Sequence, residues 1–515
     1  MKVKRNNLAN NVLKPSILNG FAISVLKPSI LNGFAISVLK PSILNGFKMP
    51  IFALALVCLS LTGCNTFKDV FKVPPKATPP AYSEPATAST ITQIAPAWWT
   101  HFQDAELNTL VEQSLKNNHD ITAAVARIEE ADANLRQVGA GFLPTVNLSS
   151  GVARQRTFAP GFNGGINPEF TLYQAAIGTQ YELDFWGKIK LAQQSARAQL
   201  LASQFSKATT ELTLSSLVAH YYLSVISLDA QSQVLAKILD SRQQSLLLTK
   251  KRLEGGVVSV LDVYQAENAI LQSQLQMEEF KRLRSLALHQ LQLLTNLSDL
   301  TVLKWQKVDL PNIPVPPVGL PANLLLSRPD IQIAEQNLTS LQANIGFARA
   351  AFYPSFSLTA EGGLQSALLA DFIRNPVKVF TLGLGLNLPI FDSGRRQAQL
   401  DIALAQEKQA LANYAKTIQI AFKEVNDGLS DLQQYAEKER LLAQSVSLAE
   451  KTVTVAQSRY QAGYSSYLEV LDAERNLIEA NLQLVQTRQT RLQSSIALFK
   501  ALGGGWQLAE IKKPN

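Results

Sequence analysis

Residues 188–256, KIKLAQQSARAQLLASQFSKATTELTLSSLVAHYYLSVISLDAQSQVLAKILDSRQQSLLLTKKRLEGG, run for 67 positions without glycine or proline and then meet two glycines in succession. Such a stretch predicts one α-helix about 100 Å long at roughly 1.5 Å per residue, far beyond a globular domain. Gly255-Gly256 is where it can reverse, because glycine enters the left-handed turn without a Cβ clash. A counterpart runs from Arg395 to Ala462 with no proline and only Gly428, and it too ends at a glycine, Gly463. A return helix follows, with Leu471, Ile478, Leu482 and Val485 spaced 7, 4 and 3 apart as in a coiled-coil seam.

The two long runs belong to a duplication. Positions 120–148 share nine identities with 330–358 without a gap, an offset of 210 that carries Phe142-Leu143-Pro144 onto Phe352-Tyr353-Pro354. A second block, Arg252 through Val263, matches Arg459 through Val470 at an offset of 207, and Ala266-Glu267 continues as Ala473-Glu474. Two blocks at nearly one period indicate a repeated unit. Each unit reads helix, two strands, very long helix, tight break, helix.

The strands carry the second signal. Between Val379 and Pro389, Phe380, Leu382, Leu384, Leu386 and Leu388 alternate with Thr381, Gly383, Gly385 and Asn387. Tyr173, Ala175, Ile177, Tyr181, Leu183 and Phe185 alternate with Gln174, Ala176, Gly178, Gln180, Glu182 and Asp184, and shorter alternations start at Val146 and Phe356. Strands of about ten residues, apolar outside and polar inside, are the pattern of an outer-membrane barrel. A soluble sheet with one buried face would alternate in the same way. What favours the barrel is the lipid-attachment signal described below, together with the lack of any transmembrane-helix pattern. Four strands cannot close a barrel, and lipid does not tolerate an open edge, so several chains must share one.

Composition removes other classes. The chain of 515 residues has a net charge of +8, with 48 basic and 40 acidic residues. Seven of the basic residues (Lys2, Lys4, Arg5, Lys14, Lys27, Lys40, Lys48) lie in 1–63, which has no acidic residue, so 41 against 40 remain beyond it. A near-neutral body offers no extended positive field for phosphates, and no nucleic-acid partner is expected. The two cysteines and four scattered histidines form no disulfide framework or zinc spacing, and no nucleophile elbow, P-loop or dinucleotide fingerprint occurs. No enzyme and no metal site are expected.

Residues 12–47 repeat a thirteen-residue unit, VLKPSILNGFAIS, and stand apart from the rest. The start of translation stays open, since beginning at Met49 would drop the basic segment. Residues 51–64, IFALALVCLSLTGC, form an apolar run too short to span a membrane, ending in Leu61-Thr62-Gly63-Cys64. That ending resembles a bacterial lipobox, which implies a covalent lipid on Cys64; Asn65, rather than Asp, favours passage to the outer membrane.

Taken together, the chain resembles the TolC-type outer-membrane efflux factors, in their NodT-like lipoprotein branch. The residues that carry the resemblance are the lipobox, Trp98-Trp99 leading to Phe102, and residues 117–144, NNHDITAAVARIEEADANLRQVGAGFLP. SRPDIQIAEQNL at 327–338, AAFYPSFSL at 350–358, the paired glycine turns and the terminal Ala501-Leu502-Gly503-Gly504-Gly505-Trp506 complete it. The resemblance implies an α+β membrane protein: a homotrimer with a shared twelve-stranded outer-membrane β-barrel, four strands per chain, and a long α-helical coiled-coil tunnel through the periplasm. The expected layout is a leader at 1–63, a first repeat at 64–307, a proline-rich equatorial linker at 308–329 and a second repeat at 330–515. Trp98 and Trp99 would anchor the N-terminal segment on that equatorial belt.

The implied function is a passive exit duct exporting drugs or other small molecules, docked on a periplasmic adaptor (membrane fusion protein) and an inner-membrane pump of the RND type, with no cofactor. Alternatives are a duct for metal ions or secreted polypeptides, or a periplasmic adaptor lipoprotein. An adaptor should carry one hairpin flanked by a lipoyl-like β domain rather than duplicated long hairpins. By resemblance, Arg252, Gly256, Leu261, Arg459, Gly463 and Leu468 form the adaptor-contacting tips; otherwise the glycines simply permit reversal and the arginines cap helix ends. Glu469 and Asp472, three residues apart and so on one helical face, match positions that ring the periplasmic pore entrance, where six carboxylates would favour cations. Asp262 resembles a gate-latching acid whose usual basic partner falls at Ser465. The bland reading of these acids is the solvated face of a surface helix.

Overall fold

In the computed structural model the 67-residue run is one helix, and its counterpart in the second half is another. The structure describes residues 94–156, 169–300, 310–317 and 328–506; Cys64, the thirteen-residue repeats and most of the 308–329 linker lie outside them. A 3-10 turn at Trp98–Phe102 leads into α1 (Ala105–Asn117) and α2 (His119–Gly139), then β1 (Thr145–Arg156) and β2 (Glu169–Leu183). The long helix α3 (Lys188–Glu254) and its return α4 (Val260–Thr295) finish the first half. The second half repeats the order: α5 (Pro329–Ala350), β3 (Ser355–Ser366), a short α6 (Leu369–Arg374), β4 (Val377–Asn387), α7 (Arg395–Gln461) and α8 (Tyr467–Ala501). The short α6 between the strands has no counterpart in the sequence pattern.

The four strands form one antiparallel sheet in the order β1-β2-β3-β4, leaving β1 and β4 as its edges. Thr145 pairs with Gln180 and Ser355 with Asn387. Adding the two repeat offsets to the first pair gives the second, so both hairpins share one register. The apolar set stands on one face and is open to the surroundings: Leu148 is 77% exposed, Phe380 87% and Leu384 72%. Among the described residues no helix is long and apolar enough to cross a membrane.

The helices pack side by side: α2 on α3, α3 on α5 and α5 on α7 near the sheet, with α4, α3, α8 and α7 adjoining beyond it. Their most buried positions are not those of the expected seam. Leu471, Ile478, Leu482 and Val485 are only half-buried; the buried stripe of α8 is Ala473, Ala480, Thr487, Ser494 and Ala501, each seven residues from the last. In α4 the corresponding stripe is Ala266, Ser273, Phe280 and Ala287. Each of these helices has neighbours on more than one flank, so its buried surface is wider than a single coiled-coil seam and takes in the larger Phe280, Leu492, Leu498 and Phe499 as well. Heptad spacing was therefore legible, whereas the face that is most buried was not.

Where the halves meet, a core gathers Trp98, Phe102, Leu110, Tyr222, Leu291, Leu310 and Phe499. Trp98 stacks on Phe499 at 5.5 Å and donates Nε1–H to Ser215 Oγ at 3.3 Å. Leu310 of the linker sits in the same core, and its carbonyl accepts from Arg488 Nη2 at 3.2 Å. Arg328, at the linker's far end, bonds Asp330 and Glu424 at 2.6 Å each and the carbonyl of Ala501 at 3.1 Å, joining α5, α7 and α8.

Candidate functional site

The two helix reversals hold most of the residues singled out in the sequence. At the first, Gly256 takes φ +72°, and Val257 N–H returns to the carbonyl of Arg252 at 2.9 Å. At the second, Gly463 takes φ +82°, and Tyr464 N–H returns to the carbonyl of Arg459 at 2.8 Å. These are matching C-terminal caps in which only glycine avoids left-handed strain. Leu261 and Leu468 are each 60% exposed just beyond them.

Equivalent charged residues at the two turns do different things. Asp262 closes a capping box on α4: its carboxylate accepts from Ser259 N–H at 3.0 Å, while Ser259 Oγ accepts from Leu261 N–H at 3.0 Å. Glu469, its repeat counterpart, instead pairs with Arg459 at 3.2 Å. Asp472 pairs with Arg475 at 2.5 Å. Glu469 and Asp472 line one groove with Lys451, Val455 and Asn476. Arg252 reaches across to the other hairpin, donating to the carbonyls of Tyr460 and Gln461 at 2.8 Å each, with its guanidinium 4.8 Å from the Tyr460 ring centre. Those carbonyls lie at the negative C-terminal end of α7, where a cation is favoured, and that of Tyr460 also accepts from Gly463 N–H at 3.1 Å.

Sequence reasoning missed the strongest polar link at this end. Arg242 of α3 and Glu474 of α8 form an ion pair at 3.4 Å with side chains only 8% and 5% exposed. Arg242 Nη1 also donates to the carbonyl of Ala269 and to Ser273 Oγ, both at 2.7 Å, so one guanidinium ties α3, α4 and α8. Burial pushes the Glu474 carboxyl above its ordinary value, and Arg242 opposes that only in part. The available signal was an arginine at position 242 with Leu235 and Thr249 seven residues to either side, all three buried. Beside the link, Ala266, Ala456, Tyr460, Tyr467, Val470 and Ala473 make a small apolar core. Nucleophile, base and oxyanion donors do not converge here, and among the described residues no acidic or histidine cluster could hold a metal.

The wider comparisons agree with this architecture. The model of the outer membrane efflux protein family matches residues 110–297 and 320–504. The chain is 35% identical over 419 residues to the pyoverdine export outer membrane protein OpmQ of Pseudomonas aeruginosa, covering 80% of this chain and 87% of that one. It is 33% identical over 466 residues to a probable efflux pump outer membrane protein, TtgC, of Pseudomonas putida, covering 88% and 96%. The solved structure of CusC, described in terms of transmembrane channel formation, superposes with a TM-score of 0.76 at 31% identity over 84% of this chain and 98% of that one. Helical hairpins about 100 Å long, a four-stranded sheet with an exposed apolar face and a family match spanning both halves lead to one assignment: the chain belongs to the outer membrane efflux protein family.

Proposed function

We propose that the chain is the passive outer-membrane exit duct of a tripartite efflux pump, carrying small organic molecules across the periplasm and outer membrane without chemistry of its own. The observation that supports it best is the sheet: four strands with an exposed apolar face, both outer edges unpaired among the described residues, continued by helices of 67 residues. Lipid excludes such edges, so several copies must share one barrel, and the family resemblance puts the number at three copies with twelve strands. The relatives named for pyoverdine export and toluene efflux favour small organic cargo over polypeptides. An adaptor role is disfavoured, because the family match covers both halves.

On this reading Cys64 carries the lipid that tethers the trimer. The segments 64–307 and 330–515 are the two repeats, joined by the linker 308–329. The exposed Leu261 and Leu468 beside Gly256 and Gly463 meet an adaptor of the membrane fusion type, with an RND pump beneath it. Glu469 and Asp472 face the entrance, and Asp262, already engaged in its capping box, acts there by holding the start of α4. Reconstitution in planar bilayers tests the proposal. Discrete conductance steps from a trimer are expected, and a purified, folded protein that never conducts would overturn it.

A further inference from the structure

The internal repeat maps β1 onto β3 with an offset of 210 and β2 onto β4 with an offset of 207. The mapping holds in the hydrogen-bond ladders, since it carries the β1–β2 pairs from Thr145–Gln180 to Gln155–Phe170 onto the observed β3–β4 pairs from Ser355–Asn387 to Gln365–Val377. The two hairpins meet through β2 and β3, with Ile177 opposite Gly362 and Gln180 opposite Thr359. In a barrel built from three chains the next junction joins β4 of one protomer to β1 of its neighbour. Those strands are the repeat copies of β2 and β3. A ring of six like hairpins closes with uniform tilt only when each junction has the same stagger.

We infer that β4 of one protomer pairs antiparallel with β1 of the next in this register, with Leu384 opposite Val152 and Asn387 opposite Ser149. The inference rests on the three-copy duct reading and deepens it. Leu384 follows from Ile177 and Val152 from Gly362; Asn387 follows from Gln180 and Ser149 from Thr359. The seam then runs over Phe380–Asn387 against Ser149–Arg156, all of it within the two edge strands.

Surface chemistry supplies an independent check. Leu384 and Val152 are exposed apolar residues, at 72% and 66%, and the register sets them side by side on the apolar face. The polar face brings Asn387 to Ser149 and Thr381 to Gln155. A slip of one residue would set Gly151 against Leu384 and mix the two faces along the entire seam. The faces therefore restrict the register to steps of two, and the repeat selects one of those steps.

Cysteine pairs test it in the full chain, assembled in membranes. Asn387→Cys with Ser149→Cys, and Leu384→Cys with Val152→Cys, should give reducible covalent trimers on non-reducing gels. Neither single variant should, which controls for Cys58 and Cys64. The equivalent pair within the chain, Gln180→Cys with Thr359→Cys, reports that a disulfide can form at such a junction. Asn387→Cys combined with Asn147→Cys or with Gly151→Cys should stay open, because diagonal positions exceed disulfide reach. Native mass spectrometry of the unmodified protein runs alongside. A shifted pair that crosslinks, or the absence of every intermolecular crosslink in a trimeric protein, overturns this register and leaves the duct standing. A monomeric unmodified protein overturns the duct reading and the seam with it.

Discussion

Replacing Arg242 with alanine removes the counter-charge from Glu474, whose side chain is 5% exposed, together with hydrogen bonds to Ala269 and Ser273. Breaking a buried pair on one side costs about 3–5 kcal/mol. A second route gives a similar size. Glu474 escapes as the neutral acid, and from an ordinary value of 4.5 that costs about 3.4 kcal/mol at pH 7, less to the extent that burial has already raised it. The two lost charged hydrogen bonds add about 1.5–3 kcal/mol each at most. Hydrogen exchange on the assembled protein reads this locally, so irreversible global unfolding does not intervene. Amides in 263–280 and 467–480 should exchange roughly 10²- to 10⁴-fold faster at pH 7, the factor that about 3–5 kcal/mol implies. Glu474→Gln leaves the Arg242 guanidinium buried without its counter-charge and should cost a comparable amount, whereas Arg242→Met with Glu474→Leu removes both charges and should fall within about 1 kcal/mol of the parent. The pH dependence has a definite sign. With the folded value above the unfolded one, the folded state binds the extra proton, so this stabilisation is present below about pH 4.5 and is lost as pH rises through the raised value. Glu474→Gln should flatten that slope. Unchanged exchange in Arg242→Ala would show that the pair does not hold the hairpins together.

Four further outcomes follow from the same geometry. Gly463→Val, at φ +82° with open space around the missing Cβ, should cost about 1–2 kcal/mol from backbone strain alone and speed exchange at the second turn without altering the first. Leu384→Arg on the apolar face should destabilise the trimer by about 2–4 kcal/mol in heat-modifiability gels, whereas Thr381→Arg on the polar face should leave assembly intact; equal effects would contradict the assignment of faces. Glu469→Ala with Asp472→Ala breaks only exposed pairs worth under about 1 kcal/mol each, so the protein should assemble normally while cation selectivity and block by multivalent cations fall in single-channel recordings. Cys64→Ser should abolish palmitate incorporation and leave trimerisation intact, and undiminished labelling would exclude Cys64 as the acylated residue.

The sequence by itself determined what depends on neighbours along the chain. Freedom from glycine and proline fixed the start and end of α3, the glycines at 256 and 463 fixed both reversals, and strict alternation fixed the two faces of the sheet. Backbone dihedrals and side-chain periodicity are local properties, and the repeat let one half check the other. Tertiary structure decided which of several equivalent local options is used. Asp262 and Glu469 occupy one motif position, yet Asp262 caps its own helix, whereas Glu469 turns to Arg459. Arg252, legible as a helix-end residue, caps the opposite hairpin at Tyr460 and Gln461. In α8 the seam of Leu471, Ile478, Leu482 and Val485 stays half-buried, while Ala473, Ala480, Thr487, Ser494 and Ala501 form a buried heptad row beside Leu492, Leu498 and Phe499, a choice of face that packing against α3 and α7 makes. Arg242 and Glu474 stand 232 residues apart, and nothing in either local sequence requires the other. Only the lateral packing of α3, α4 and α8 brings the two charges into one dry site, where they must pair.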